Sequence, residues 1–159
     1  WSSDVCSSDL GLAVAVAVAA GVFFWSRGSS EPAGYGVPGD PAQPARTLEI
    51  LIRERPDGRM YFLPDAIEVR RGEQVRFLVK NEGERPHYVL VAPTSEITRA
   101  SAQLRNNPRG TLAASNAAQL APGQTGEVFW RFTHAGELEF SSVQPRDREA
   151  GLYGRLVVR

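Results

Sequence analysis

The sequence predicts an all-β sandwich, and three observations predict it. Apolar residues alternate with polar ones in short separate rows: Leu48, Ile50 and Ile52; Val75, Phe77 and Val79; Val128, Trp130 and Phe132; Leu138 and Phe140. This is the period of half-buried strands. Turn-forming stretches divide the rows, at Pro56-Asp57-Gly58, Arg71-Gly72-Glu73, Pro122-Gly123 and Ala135-Gly136, and several short strands so punctuated imply a sandwich. With 159 residues the chain is about one domain long, enough to bury a sandwich core.

In chain order, residues 1–10 come first. They read W-S-S-D-V-C-S-S-D-L, which translates codon by codon from a common short-read sequencing adapter, TGG AGT TCA GAC GTG TGC TCT TCC GAT CTN. They are therefore expected to be a scar and are set aside from fold reasoning. Cys6, the only cysteine, falls with them, so cysteine usage says nothing of redox compartment. Residues 11–25, G-L-A-V-A-V-A-V-A-A-G-V-F-F-W, are uncharged and apolar. Such a run fits the core of a signal peptide or a short membrane anchor. It continues past the cleavage-like Ala17-Val18-Ala19, and Trp25 suits a membrane interface. An anchor in a bacterial inner membrane is the favoured expectation, with a cleaved signal and a free periplasmic form as the alternative. Residues 26–46 hold four Pro and four Gly, a composition that predicts an extended tether without helix or strand.

Residues 47–159 are then the folded domain. Within it residues 95–105 read as a short helix, with Ile97 and Leu104 on one face, ended by Asn106-Asn107-Pro108. Charge excludes one class of partner. The chain has 18 basic and 18 acidic residues, and 18 against 16 once Asp4 and Asp9 are set aside, with its arginines scattered. Nucleic-acid binding is not expected.

Several stretches carry a family resemblance: Met60-Tyr61-Phe62-Leu63-Pro64, the run from Ile67 to Glu73, Val75-Arg76-Phe77, Asn81-Glu82-Gly83, His87, the run from Leu120 to Glu127, and Trp130-Arg131-Phe132. So does the loop at residues 140–154, F-S-S-V-Q-P-R-D-R-E-A-G-L-Y-G, lying between an alternating strand and a terminal one. In this order they resemble the plastocyanin/azurin-like periplasmic blue copper proteins, the cupredoxins, over residues 47–159. The resemblance implies a Greek-key sandwich and a metal corner at four positions. Where the family has His, Cys, His and Met, this chain has His87, Ser142, Asp147 and Leu152, with the family's Pro in place as Pro145.

A blue copper centre needs a thiolate, two imidazoles and a weak axial thioether. Ser142 offers a hydroxyl, Asp147 a hard carboxylate and Leu152 no donor, so the resemblance implies a degenerate site without type 1 copper. Two protein ligands also fall short of the three or four in dedicated transition-metal sites. The expectation is a noncatalytic, membrane-tethered binding or structural module with no cofactor, its partners the inner membrane through residues 11–25 and other envelope proteins. A second reading is a copper-binding or electron-transfer protein that takes a copper ion at a non-standard site. A third is a hydrolase, because Ser142, His87 and Asp147 should converge and are the residue types of a serine-hydrolase triad. The chain has no G-x-S-x-G elbow to support it. The ordinary alternative is a polar cluster filling the vacated corner, with His87 donating to Asp147.

Two further residues have ordinary readings. His134 lies in the turn before the strand Glu137 to Ser142, whose length of about six residues at 3.3 Å each puts it roughly 20 Å from His87, so the two cannot share a metal ion. Met60 is expected to pack at the core or its rim.

Overall fold

The computed structural model describes residues 34–108 and 110–159. Residues 1–33 lie outside it, and with them the adapter-like start, Cys6, the apolar run and the first part of the expected tether. Ten strands and one helix are formed: β1 (Gly36–Pro38), β2 (Arg46–Glu54), β3 (Met60–Leu63), β4 (Ala66–Val69), β5 (Gln74–Asn81), β6 (His87–Ala92), α1 (Thr94–Asn106), β7 (Ala117–Leu120), β8 (Thr125–Phe132), β9 (Gly136–Ser142) and β10 (Tyr153–Val158). One sheet has the order β1-β8-β5-β2-β3 and the other β4-β10-β9-β6-β7, so the chain repeatedly crosses between sheets. This is the cupredoxin-like sandwich that the sequence predicts.

Each alternating row turns its apolar members inward. Ile50, Ile52, Val75, Phe77, Val79, Val128 and Phe132 of one sheet face Val89, Val91, Phe140 and Leu156 of the other, all fully buried. Burying each such side chain contributes about 1.5–3 kcal/mol. The Phe62 and Phe140 rings meet edge-on at 5.0 Å and tie the sheets together. Gly154 lies directly across β10 from Phe140, and a Cβ there would come within 2.1 Å of the ring, so the larger side chain requires the glycine. Helix α1 seats Ile97, Ala100 and Leu104 as its buried residues and contacts β6 and β9. That cover explains why all six residues of β6 are buried.

The tether expected over residues 26–46 is corrected from residue 34 onward. Gly36–Pro38 pairs antiparallel with β8 as an edge strand, a position where Pro is tolerated. The Tyr35 ring packs on Trp130 at 5.8 Å. Gln74 accepts the Asp40 N–H at 2.7 Å and donates to the Asp40 carbonyl at 3.0 Å, anchoring the turn that follows β1. Gln74 lies 34 residues from Asp40, and Trp130 is more distant still from Tyr35, so the Pro- and Gly-rich composition of this stretch gave no sign of them. Among the described residues no helix is long and apolar enough to cross a membrane.

Candidate functional site

The four positions implied by the resemblance meet at one end of the sandwich. His87 opens β6 and Ser142 closes β9, both on the inward faces of neighbouring strands, while Asp147 and Leu152 come from the loop between β9 and β10. Backbone bonds fold that loop back on itself. The Ser142 N–H donates to the Leu152 carbonyl at 3.1 Å, and the Leu152 N–H to the Asp147 carbonyl at 2.9 Å. Arg146 takes a positive φ of 73° to make the bend, a left-handed conformation that costs an L-residue free energy. Met60 binds the loop from the other sheet, its N–H donating to the Ala150 carbonyl at 2.9 Å.

The loop is also pinned from outside. Arg148 forks onto the Glu139 carboxylate, with Nη2 to Oε1 at 3.1 Å, and lies over the Tyr153 ring at 5.1 Å. The guanidinium hydrogen bond holds the Glu139 carboxyl below the usual carboxylate range against the opposing effect of partial burial.

Inside the corner, one oxygen takes two hydrogen bonds. Asp147 Oδ2 accepts from Ser142 Oγ at 2.6 Å and from His87 Nδ1 at 2.7 Å, and the three residues are 5% exposed or less. Leu152 is fully buried and adds no donor. The residues do not fit a type 1 copper ion, because no thiolate is present and the carboxylate is already engaged with the hydroxyl and the imidazole. The serine-hydrolase reading is corrected by the same geometry. A triad needs His between Ser and Asp to take the hydroxyl proton, whereas here Asp147 stands in the middle and Ser142 donates to it. His134 is exposed at the opposite end of β9, hydrogen-bonded locally to Thr133.

The far side of the His87 ring holds residues that sequence reasoning missed. Among the described residues Nε2 is buried with no hydrogen-bond partner and lies 3.7 Å from Glu54 Oε1, itself a buried oxygen with no hydrogen bond. Arg85 Nε is 3.7 Å from that oxygen, and Arg85 Nη2 lies 3.3 Å from the Met60 sulfur. A signal for Glu54 was present. It falls two residues after Ile52 and so extends the inward row Leu48, Ile50, Ile52, and it pairs across the hairpin with Met60.

Comparison with known proteins fits this architecture. No protein-family model matches the chain. In fold it is similar to auracyanin B, with a TM-score of 0.62 at 19% identity, covering 79% of this chain and 96% of that one. In sequence it is similar to the copper-resistant cuproprotein CopI of Pseudomonas aeruginosa, 29% identical over 171 positions covering 87% of this chain and 92% of the relative. The corresponding protein of Rubrivivax gelatinosus is 38% identical over 125 residues, which cover 79% of this chain and 73% of the relative. At that level of identity and coverage, the chain belongs to the CopI family of copper-resistant cuproproteins.

Proposed function

We propose that this chain is a noncatalytic, copper-resistance-related module of the bacterial envelope in which a polar lock replaces the type 1 copper centre. The observation that carries the reading is the double acceptance at Asp147 Oδ2, from Ser142 at 2.6 Å and His87 at 2.7 Å. A carboxylate so engaged offers the wrong donor for blue copper and keeps the corner closed without metal. The names of its relatives support a role connected with copper. In this reading residues 11–25 hold the chain in the inner membrane with the sandwich on the periplasmic side, where it meets other envelope proteins. Retention in membranes through a carbonate wash tests the anchor, and recovery of a soluble mature form lacking residues 11–25 would count against it.

The central test is a Cu(II) titration of the full chain carrying Cys6→Ser, followed by optical and paramagnetic spectra. No intense blue band is expected, since that band is a thiolate-to-copper transition. Adding Ser142→Cys, Asp147→His, Leu152→Met and Arg146→Gly supplies the missing donors and relieves the φ of 73° at Arg146. That variant should turn blue with one copper per chain. A blue band before the change, or a folded variant that stays colourless after it, would sink the proposal.

A further inference from the structure

We infer that the Nε2 side of His87 forms a separate site for a monovalent copper ion, with Glu54 and Met60 as its other donors and Arg85 as a displaceable plug. The argument starts with the tautomer. Nδ1 lies 2.7 Å from an Asp147 oxygen, so in the neutral ring Nδ1 carries the hydrogen and Nε2 presents its lone pair. That lone pair faces the buried carboxylate oxygen of Glu54 at 3.7 Å, and neither atom has a hydrogen-bond partner among the described residues. Two acceptors do not attract each other, so the arrangement calls for a positive group between them.

The spacing suits a shared ion better than a direct hydrogen bond. Bonds of about 2.0–2.1 Å from one metal to nitrogen and oxygen, at tetrahedral or trigonal angles, put the two donors roughly 3.3–3.6 Å apart. The outer contact is also in place, because a metal-ligating histidine usually gives its other ring N–H to a carboxylate, as His87 does to Asp147. Among the described residues no group of three His, Cys, Asp or Glu side chains is placed to hold a metal, so the third donor must be of another type. Met60 stands across the β2–β3 hairpin from Glu54 and is 3% exposed. Its thioether favours soft Cu(I) over hard divalent ions, and Glu54 supplies compensating charge for a buried cation.

Arg85 now holds the place of that cation. Its Nη2 lies 3.3 Å from the Met60 sulfur and its Nε 3.7 Å from Glu54 Oε1. Its side chain is 55% exposed, so it can swing into water when copper enters. The inference goes beyond the polar lock and rests on it in one respect, that Asp147 stays bound to Nδ1.

The test is competition for Cu(I) between bicinchoninate and the full chain carrying Cys6→Ser, under reducing, oxygen-free conditions. One Cu(I) per chain is expected. Met60→Leu and Glu54→Gln should each weaken binding at least about tenfold. Arg85→Ala should tighten it. X-ray absorption should show sulfur at about 2.3 Å from the metal, lost in Met60→Leu. Absence of binding, binding indifferent to Met60→Leu and Glu54→Gln, or weakening by Arg85→Ala would each overturn the site. A blue Cu(II) band would instead overturn the polar lock, so the two failures are distinguishable.

Discussion

Two buried polar clusters stitch this sandwich together, and they close to different degrees. At Tyr35 the hydroxyl donates to Glu96 at 2.9 Å and accepts from Asn116 Nδ2 at 2.7 Å, and the same amide also reaches the Val91 carbonyl at 2.8 Å. At His87 one ring nitrogen is bonded to Asp147, while the other faces a Glu54 oxygen that likewise has no hydrogen bond among the described residues and only the Arg85 guanidinium 3.7 Å away. A hydroxyl whose donor and acceptor are both used fixes one conformation, and here it latches the segment before β1 to α1. A cluster that leaves two buried acceptors facing each other forgoes stability, and the inferred copper site gives that cost a use, as the place kept for a cation. The difference is between a cluster whose hydrogen bonds are complete and one whose bonds are not.

The strongest way to break the comparison is Asp147→Leu. It removes the shared acceptor of two buried donors, Ser142 Oγ and His87 Nδ1. The expected loss is about 2–5 kcal/mol, because each stranded donor keeps its desolvation cost. Urea denaturation midpoints measure it. A loss under about 1 kcal/mol would show that the corner admits water and is no lock.

Tyr35→Phe probes the closed cluster and should cost less, about 1 kcal/mol, because the ring still packs on Trp130 and Asn116 keeps the Val91 carbonyl. Its sharper signature is in alkali. Burial, reinforced by the Glu96 carboxylate, holds the Tyr35 phenol well above its ordinary range. A group whose folded pKa is raised gives its full stabilisation below the unfolded value, about 10 for tyrosine, and loses it as pH climbs from there toward the folded value. The native chain should therefore lose stability above about pH 10 more steeply than Tyr35→Phe does. Parallel losses would mean that this hydroxyl is not sequestered in solution.

How much of this could be read beforehand differed between the two clusters for a physical reason. The rows of β2, β5, β8 and β9 were legible because burial of one sheet face imposes period two on the residues themselves. The meeting of Ser142, Asp147 and His87 was legible from the loop's spacing and the family resemblance. Which residue stands in the middle was not, because it depends on which carboxylate oxygen the folded loop presents. The Tyr35 cluster was hidden further, since Glu96 and Asn116 lie 61 and 81 residues away and nothing local in a Pro- and Gly-rich stretch announces them. Glu54 lay between these cases. Its place in the inward row of β2 was visible, and only its unpartnered oxygen required coordinates.

The smallest expected effect concerns the strain beside the open cluster. Arg146 immediately precedes Asp147 and holds φ at 73°, where glycine is at ease and other L-residues are not. Removing the Cβ relieves about 1–2 kcal/mol in the folded loop, and part of that is returned as the greater freedom of glycine in the unfolded chain. Arg146→Gly should therefore raise stability by about 0.5–1 kcal/mol in the same urea titration. The sign decides what the strain does. If the variant gains stability and its Cu(I) affinity is unchanged, the bend serves only to turn the loop. If it loses stability, contacts of the Arg146 side chain outweigh the backbone cost, and the loop that presents Asp147 to His87 is held by that side chain as well as by its backbone bonds.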